Sequence, residues 1–364
     1  MSEKLANYLN FKPYPDVYFD TINSMAMVDS SIPFFIIAPP SGAKTTIIKA
    51  LEQIYADNRF VYTLERISPM RFLKLQYKMR NNDNLLLAED FSTLGDDEGA
   101  VFKMATMIAK LSYDKKYVDP FFTTKDSPEG LILIVKSLAF VCGMQPLWMQ
   151  IYGAKEVFET LIMEKILRYY RLPIAPIKEV SPMNVVIKSI TEAVKHSKHY
   201  RYKPHKILIK RFADSVKVQC GARGIEYAKL FVPALAKYVP KKLLSEWVFQ
   251  TVQRFNFERQ FLLRWYEPLR IGIKHEAEYR QYTVLFFAMQ YNTCTYDSLK
   301  DFVKIRAKTK SATFRYMRFL LRLGLESGYI NVLRKGKTYI IPSNEFQKLS
   351  IHNFKEGVLH AKAK

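Results

Sequence analysis

The apolar residues of this 364-residue chain change their period along its length. Residues 33–37, PFFII, form an unbroken apolar run rich in aromatic and β-branched side chains, the pattern of a strand buried on both faces of a parallel sheet. A turn follows, and then residues 45–55 put Ile47, Ile48, Leu51 and Ile54 on one side of a helix. Residues 59–64 (RFVYTL) read as a second strand and 68–79 as a helix with Pro69 in its first turn. Residues 84–88 (NLLLA) form a third strand that ends in Glu89 and Asp90, and 99–113 another helix. Residues 131–135 and 137–142 are further strand candidates, with Gly143 ending the second, and 152–170 close the region as a long helix. Repeated strand–turn–helix units predict an α/β fold with a parallel sheet and helices on both faces.

Past residue 175 the pattern changes. Pro173, Pro176 and Pro182 mark a boundary. Residues 176–260 then alternate helical segments with basic clusters, densest at 195–211 (KHSKHYRYKPHKILIKR). Its His196, His199 and His205 lack a zinc-finger spacing, and no cysteine lies within reach. Lysines and arginines interleaved with tyrosines suit a nucleic-acid backbone surface with stacking platforms, and a solvated linker has the same composition. In residues 261–345 the pattern gives a helix over 275–289, a second capped by Thr295 and a third capped by Ser311 and ended by Gly324. In the third, Phe314, Met317 and Leu321 share a core-facing side, and Arg315, Arg318 and Arg322 share another. Residues 329–333 and 338–341 flank Arg334, Lys335, Gly336 and Lys337, a hairpin with a basic tip. Three helices and a β-wing make a winged helix-turn-helix, with the third helix in the major groove and the wing on phosphates. Its candidate DNA contacts are Lys308, Lys310, Arg315, Arg318, Arg322, Arg334, Lys335 and Lys337. Residues 346–364 read as a short polar helix or a frayed end.

Charge sharpens this division. Residues 1–175 hold 20 basic and 20 acidic residues, and residues 176–364 hold 36 and 14, so the whole net charge of +22 lies in the second part. That asymmetry points to a polyanion partner for the second part alone. Cys142, Cys220 and Cys294 are too few and too scattered for a disulfide framework or a metal cluster. No apolar stretch reaches the ~18–20 residues that span a bilayer, and the N-terminus has no signal-peptide core, so the expected setting is cytoplasmic, with reduced thiols and no membrane.

The candidate chemistry sits at residues 38–46, APPSGAKTT, between the first strand and the first helix of the α/β region. A phosphate-binding loop reads G-x-x-x-x-G-K-[ST], leaves a strand and opens a helix, so that backbone N–H groups and the helix N-terminus face phosphates. Here alanine holds both glycine positions, Ala38 and Ala43. The candidate nucleotide contacts are Ala38, Pro39, Pro40, Ser41, Gly42, Ala43, Lys44, Thr45 and Thr46. Lys44 would reach the β- and γ-phosphates, and the Thr45 hydroxyl would ligate Mg²⁺. Glu89 and Asp90, at the tip of an apolar strand, supply the acid that such ATPases place on the metal side and the acid that polarises water, with Asp90 a metal candidate and the division of roles open.

The succession APPSGAKTT, YTLERISPMRFLKLQ, NLLLAEDFSTLGD, LSYDKKYVDPFF, SLAFVCGMQP and MEKILRYYRLP, over roughly residues 30–175, resembles the P-loop ATPases of phages, plasmids and other mobile elements, helicase-like and terminase-like enzymes of the RecA-like/AAA+ superfamily. The resemblance implies that Gln145 is a polar sensor of the γ-phosphate or the attacking water. It also implies that Arg168 or Arg171 acts on the γ-phosphate, within one subunit or from a neighbour. The expected organisation is a P-loop ATPase domain over 1–175, a basic helical region over 176–260, a winged helix-turn-helix over 261–345 and a tail. ATP and Mg²⁺ are the expected cofactors, double-stranded or single-stranded DNA the partner and a homo-oligomer the working form. Two functions fit: a DNA-stimulated motor in replication or translocation, and a nucleotide-switched or catalytically weak DNA-binding regulator.

Overall fold

The computed structural model describes residues 3–38, 43–68, 71–72, 74–95, 97–119, 131–144, 165–171, 181–197, 199–257, 294–295, 318, 321, 330–335 and 337–342. The chain divides into two compact units. One joins Asn7–Arg171 to Val180–Asn256, and the other contains Phe257–Lys364.

The larger unit is built on five parallel strands: β1 (Phe34–Ile37), β2 (Phe60–Thr63), β3 (Asp83–Ala88), β6 (Ser137–Met144) and β7 (Leu167–Tyr170), in the order β2-β3-β6-β1-β7. β1 is central, with Phe34 opposite Val141 of β6 on one side and Leu167 of β7 on the other. All four residues of β1 and of β7 are buried, and so is nearly all of β3 and β6, which is why β1 reads as an unbroken apolar run rather than an alternating one. The remaining pair, β4 (Lys116–Asp119) and β5 (Leu131–Ile134), forms a separate antiparallel ribbon, so residues 131–134 do not extend the main sheet.

Helices complete the described fold. In chain order they are α1 (Glu3–Asn10), α2 (Pro15–Asp29), α3 (Lys44–Tyr55), α4 (Gln76–Arg80), α5 (Glu98–Asp114), α6 (Met183–Lys195), α7 (Lys206–Cys220), α8 (Arg223–Leu235) and α9 (Lys241–Phe257). α2 is buried at every position from Val17 to Val28, including Asp20, Thr21, Asn23 and Ser24. A helix enclosed on all sides has no amphipathic period, so its pattern gave no sign of it. The helices of the basic middle region belong to this same unit. Trp247 of α9 stacks on Phe19 of α2 with ring centroids 4.5 Å apart and donates from Nε1 to Asn23 Oδ1 at 3.0 Å.

Three local expectations are corrected. Residues 167–170 form strand β7, not the end of a long helix. The helix expected over 68–79 is reduced, among the described residues, to a short helical turn and α4. Gly143 does not end β6 but lies inside it.

In the second unit, β9 (Ile330–Lys335) and β10 (Lys337–Pro342) form the expected antiparallel hairpin with Lys335 opposite Lys337, and β8 (Cys294–Thr295) adds to β10. Arg318 is helical and exposed, and Leu321 is helical and half-buried. Lys308, Lys310, Arg315, Arg322 and the helix expected over 275–289 lie outside the described residues. No helix among the described residues is long and apolar enough to cross a membrane.

Candidate nucleotide site

Because the five strands are parallel, their C-terminal ends share one edge of the sheet, and the order reverses around β1, which is where open α/β sheets bind ligands. The chain leaves β1 at Ala38, whose N–H still donates to the Met144 carbonyl at 3.2 Å, and re-enters regular structure at Lys44, the first residue of α3. Pro39, Pro40, Ser41 and Gly42 lie outside the described residues. Ala43, at the N-cap of α3, has φ 58° and ψ 22°, the left-handed conformation for which glycine is the ordinary residue. Its carbonyl accepts from the Ile47 N–H at 3.1 Å, so the alanine holds the backbone the motif asks of glycine.

Lys44 is only 8% exposed, and its Nζ donates to the Ala38 carbonyl at 2.8 Å, so the side chain folds back along the loop. Burial pushes its pKa down to about 8. The carboxylate of Asp90 opposes that shift, the Arg171 guanidinium adds to it, and Cys142 of β6 opposes it more weakly. Thr45 is half-buried and Thr46 buried behind it.

Asp90 follows β3 and caps a short 3₁₀ turn (Phe91–Leu94), its Oδ1 accepting from Ser92 N at 3.0 Å and from Ser92 Oγ at 2.7 Å. Glu89 turns the other way and pairs with Lys49 of α3 at 3.1 Å, both side chains 40% exposed. The two acids thus differ: Asp90 acts on the buried lysine, and Glu89 is engaged one turn along α3. Gly143 allows this arrangement, since a Cβ there would collide with the Glu89 carbonyl oxygen.

The arginines diverge as well. Arg171 directly follows β7, and its Nε lies 3.0 Å from Oδ2 of Asp20, a wholly buried carboxylate. Arg168 lies within β7 and is also buried; its N–H donates to Gln219 Oε1 at 2.8 Å and its carbonyl accepts from Gln219 Nε2 at 3.0 Å. Gln145 follows the last residue of β6 and lies outside the described residues. Among the described residues no three His, Cys, Asp or Glu side chains gather into a metal cluster. Thr45 and Asp90 offer hard oxygen donors, the kind that suit Mg²⁺.

Asp20, Lys49, Cys142 and Gly143 were not singled out as site residues from sequence. Asp20 carries no signal, since its helix has no period, and Gly143 reads from sequence as a strand terminator. No family model matches the chain, and no curated protein matches it in sequence.

Proposed function

We propose that the chain is a DNA-binding P-loop ATPase of the kind carried by mobile genetic elements, coupling ATP binding and hydrolysis to DNA replication or translocation. One observation carries this reading: the loop after β1 leads into α3 at Lys44, which is buried with its Nζ on the Ala38 carbonyl, and Asp90 and Arg171 follow β3 and β7 at the same C-terminal edge of the sheet. The strand order supports it, because the loop leaves the strand around which the order reverses, the place where open α/β sheets bind ligands. In this role Lys44 neutralises the β- and γ-phosphates, and the loop and the N-terminus of α3 supply N–H donors. Thr45 and Asp90 hold Mg²⁺, which when bound offsets charge on the phosphate oxygens. Glu89, released from Lys49, is the second acid, able to orient water, and Gln145 the polar sensor. The β9–β10 hairpin supports the wing, with Arg334, Lys335 and Lys337 at or beside its tip for phosphate contact.

The second reading, a nucleotide-switched DNA-binding regulator, draws on the arginines. Arg168 and Arg171 are both buried in the larger unit, whereas an arginine supplied to a neighbouring subunit needs an exposed guanidinium.

The test is ATP binding and steady-state hydrolysis by wild type and Lys44→Ala, with and without DNA. Lys44→Ala should lose at least tenfold in ATP affinity, and an unchanged affinity would remove the phosphate loop. The pH dependence has a definite sign. Free Lys44 loses its proton as pH rises through about 8, whereas bound phosphates favour the charged amine. ATP affinity should therefore fall above pH 8, with proton uptake on binding detected by calorimetry in two buffers. DNA-stimulated turnover selects the motor; binding without turnover selects the switch.

A further inference from the structure

The densest basic stretch of the middle region is not a linker. Residues 193–213 contain seven Lys and Arg and no Asp or Glu, and residues 227–245 contain four and none. The structure lays these two acid-free stretches side by side. The Tyr200 N–H donates to the Lys237 carbonyl at 2.8 Å, the Tyr202 hydroxyl donates to the Val239 carbonyl at 2.6 Å, and the His199 and Tyr238 rings meet at 5.6 Å. Tyr238 is itself tied to Asp29, at the end of α2, through its hydroxyl. The segment is therefore held against the larger unit at three successive places.

Exposure alternates along it. Tyr200 and Tyr202 are half-buried, Tyr200 held through its backbone N–H and Tyr202 through its hydroxyl, while His199, Arg201, Lys203 and His205 are exposed. The tyrosines are pins and not stacking platforms. Lys206 then opens α7, and Lys237, Lys241 and Lys242, all exposed, stand on the adjoining stretch around the start of α9. The first turns of α7 and α9 contain no acid, although the positive end of a helix favours one. Like charges held together by a pinned backbone repel each other, at a cost to the folded state that a polyanion would relieve.

We infer that Arg201, Lys203, Lys206, Lys237, Lys241 and Lys242 form a sequence-independent binding strip for the phosphate backbone of nucleic acid, on the nucleotide-binding unit and separate from the C-terminal hairpin. Exposed residues two apart on an extended segment are about 7 Å apart, close to the separation of successive phosphates along one strand. A row of cations with half-buried aromatics suits that linear ligand better than a lipid surface. The strip deepens the DNA-binding reading and rests on it, but not on the nucleotide site.

The test uses the full chain in three forms: wild type, a strip variant (R201Q/K203Q/K241Q/K242Q) and a hairpin variant (R334Q/K335Q/K337Q). Binding to a duplex and a single strand of arbitrary sequence is followed by fluorescence anisotropy across a salt series. Each phosphate contact contributes about 0.7–0.9 to the slope of log affinity against log salt. The strip variant should lose about three to four contacts' worth of slope and at least tenfold in affinity at 0.1 M salt, and the hairpin variant should keep that share. If the fourfold change perturbs folding, R201Q/K203Q and K241Q/K242Q, made separately, should each remove about half. Unchanged slope and affinity in the strip variant overturn the proposal, as does binding to anionic phospholipid vesicles but not to nucleic acid. ATP binding by the strip variant should match wild type. Loss of the nucleotide reading would show instead as wild type that fails to bind ATP, with the salt slopes intact.

Discussion

Ala43 carries a cost that the motif alone understates. Read as sequence, alanine at the last glycine position narrows the phosphate cradle. In the structure its main effect is on the backbone, since a residue with a Cβ sits at φ 58° at the N-cap of α3. The left-handed region costs an L-residue about 1–2 kcal/mol, partly offset because alanine loses less chain entropy on folding than glycine. Ala43→Gly should therefore stabilise the protein by up to about 1 kcal/mol in chemical denaturation and leave ATP affinity equal or improved. Destabilisation by that amount would mean the loop does not need the conformation described. The loop was legible because its residue types are tied to a motif. The fold-back of Lys44 onto Ala38 was not, because it depends on the burial that the whole sheet supplies.

Elements were legible in proportion to how local their causes are. β1, β2 and β3 announced themselves through short apolar runs, and α3 through its amphipathic face. β7 did not, because LRYY is buried by partners far away in the chain. Gln219 of α7 takes both the N–H and the carbonyl of Arg168, and Asp20 of α2 accepts from the Tyr169 hydroxyl at 2.5 Å. Burial and that neighbouring carboxylate push the Tyr169 pKa well above its ordinary value, so the phenol stays a donor. The β9–β10 hairpin was legible from a basic turn between two β-prone runs. The contact between β6 and the tip of β3 offers a test at this scale. Gly143→Ala must displace the Glu89 backbone and should cost about 1–3 kcal/mol, as overpacking does. Because Asp90 moves with it, ATP hydrolysis measured well below the unfolding temperature should fall as well; a variant with wild-type stability would contradict the close approach.

Across the whole larger unit, the polar centre is Asp20. It is wholly buried, meets Arg171 at 3.0 Å and Arg254 of α9 at 3.1 Å, and accepts from Tyr169. Arg254 also lies 4.3 Å from the centre of the Phe19 ring. Removing one partner of a buried ion network leaves the others uncompensated, typically at 3–5 kcal/mol. Asp20→Asn should lower stability by about that much in chemical denaturation, and adding Arg254→Met should recover part of the loss. A change under about 1 kcal/mol would mean the network is not closed as described. The network also ties the C-terminal end of β7 to α9, since Arg171 and Arg254 share one carboxylate.

That shared carboxylate bears on how the protein is made. Asp20 and Arg254 are 234 positions apart, and Asn23 receives Trp247 and Thr251 across 224 and 228. During synthesis the chain emerges from its N-terminus, so α2 and the five strands exist before α9 can supply its arginine and tryptophan. Until then a buried carboxylate and the apolar surface around Phe19 lack their cover. The larger unit can close only after residue 254 is available, and such long-range closure is slow. For a nascent chain, the last helix of this unit is the latch, and premature termination before it would leave an aggregation-prone sheet rather than a smaller folded unit.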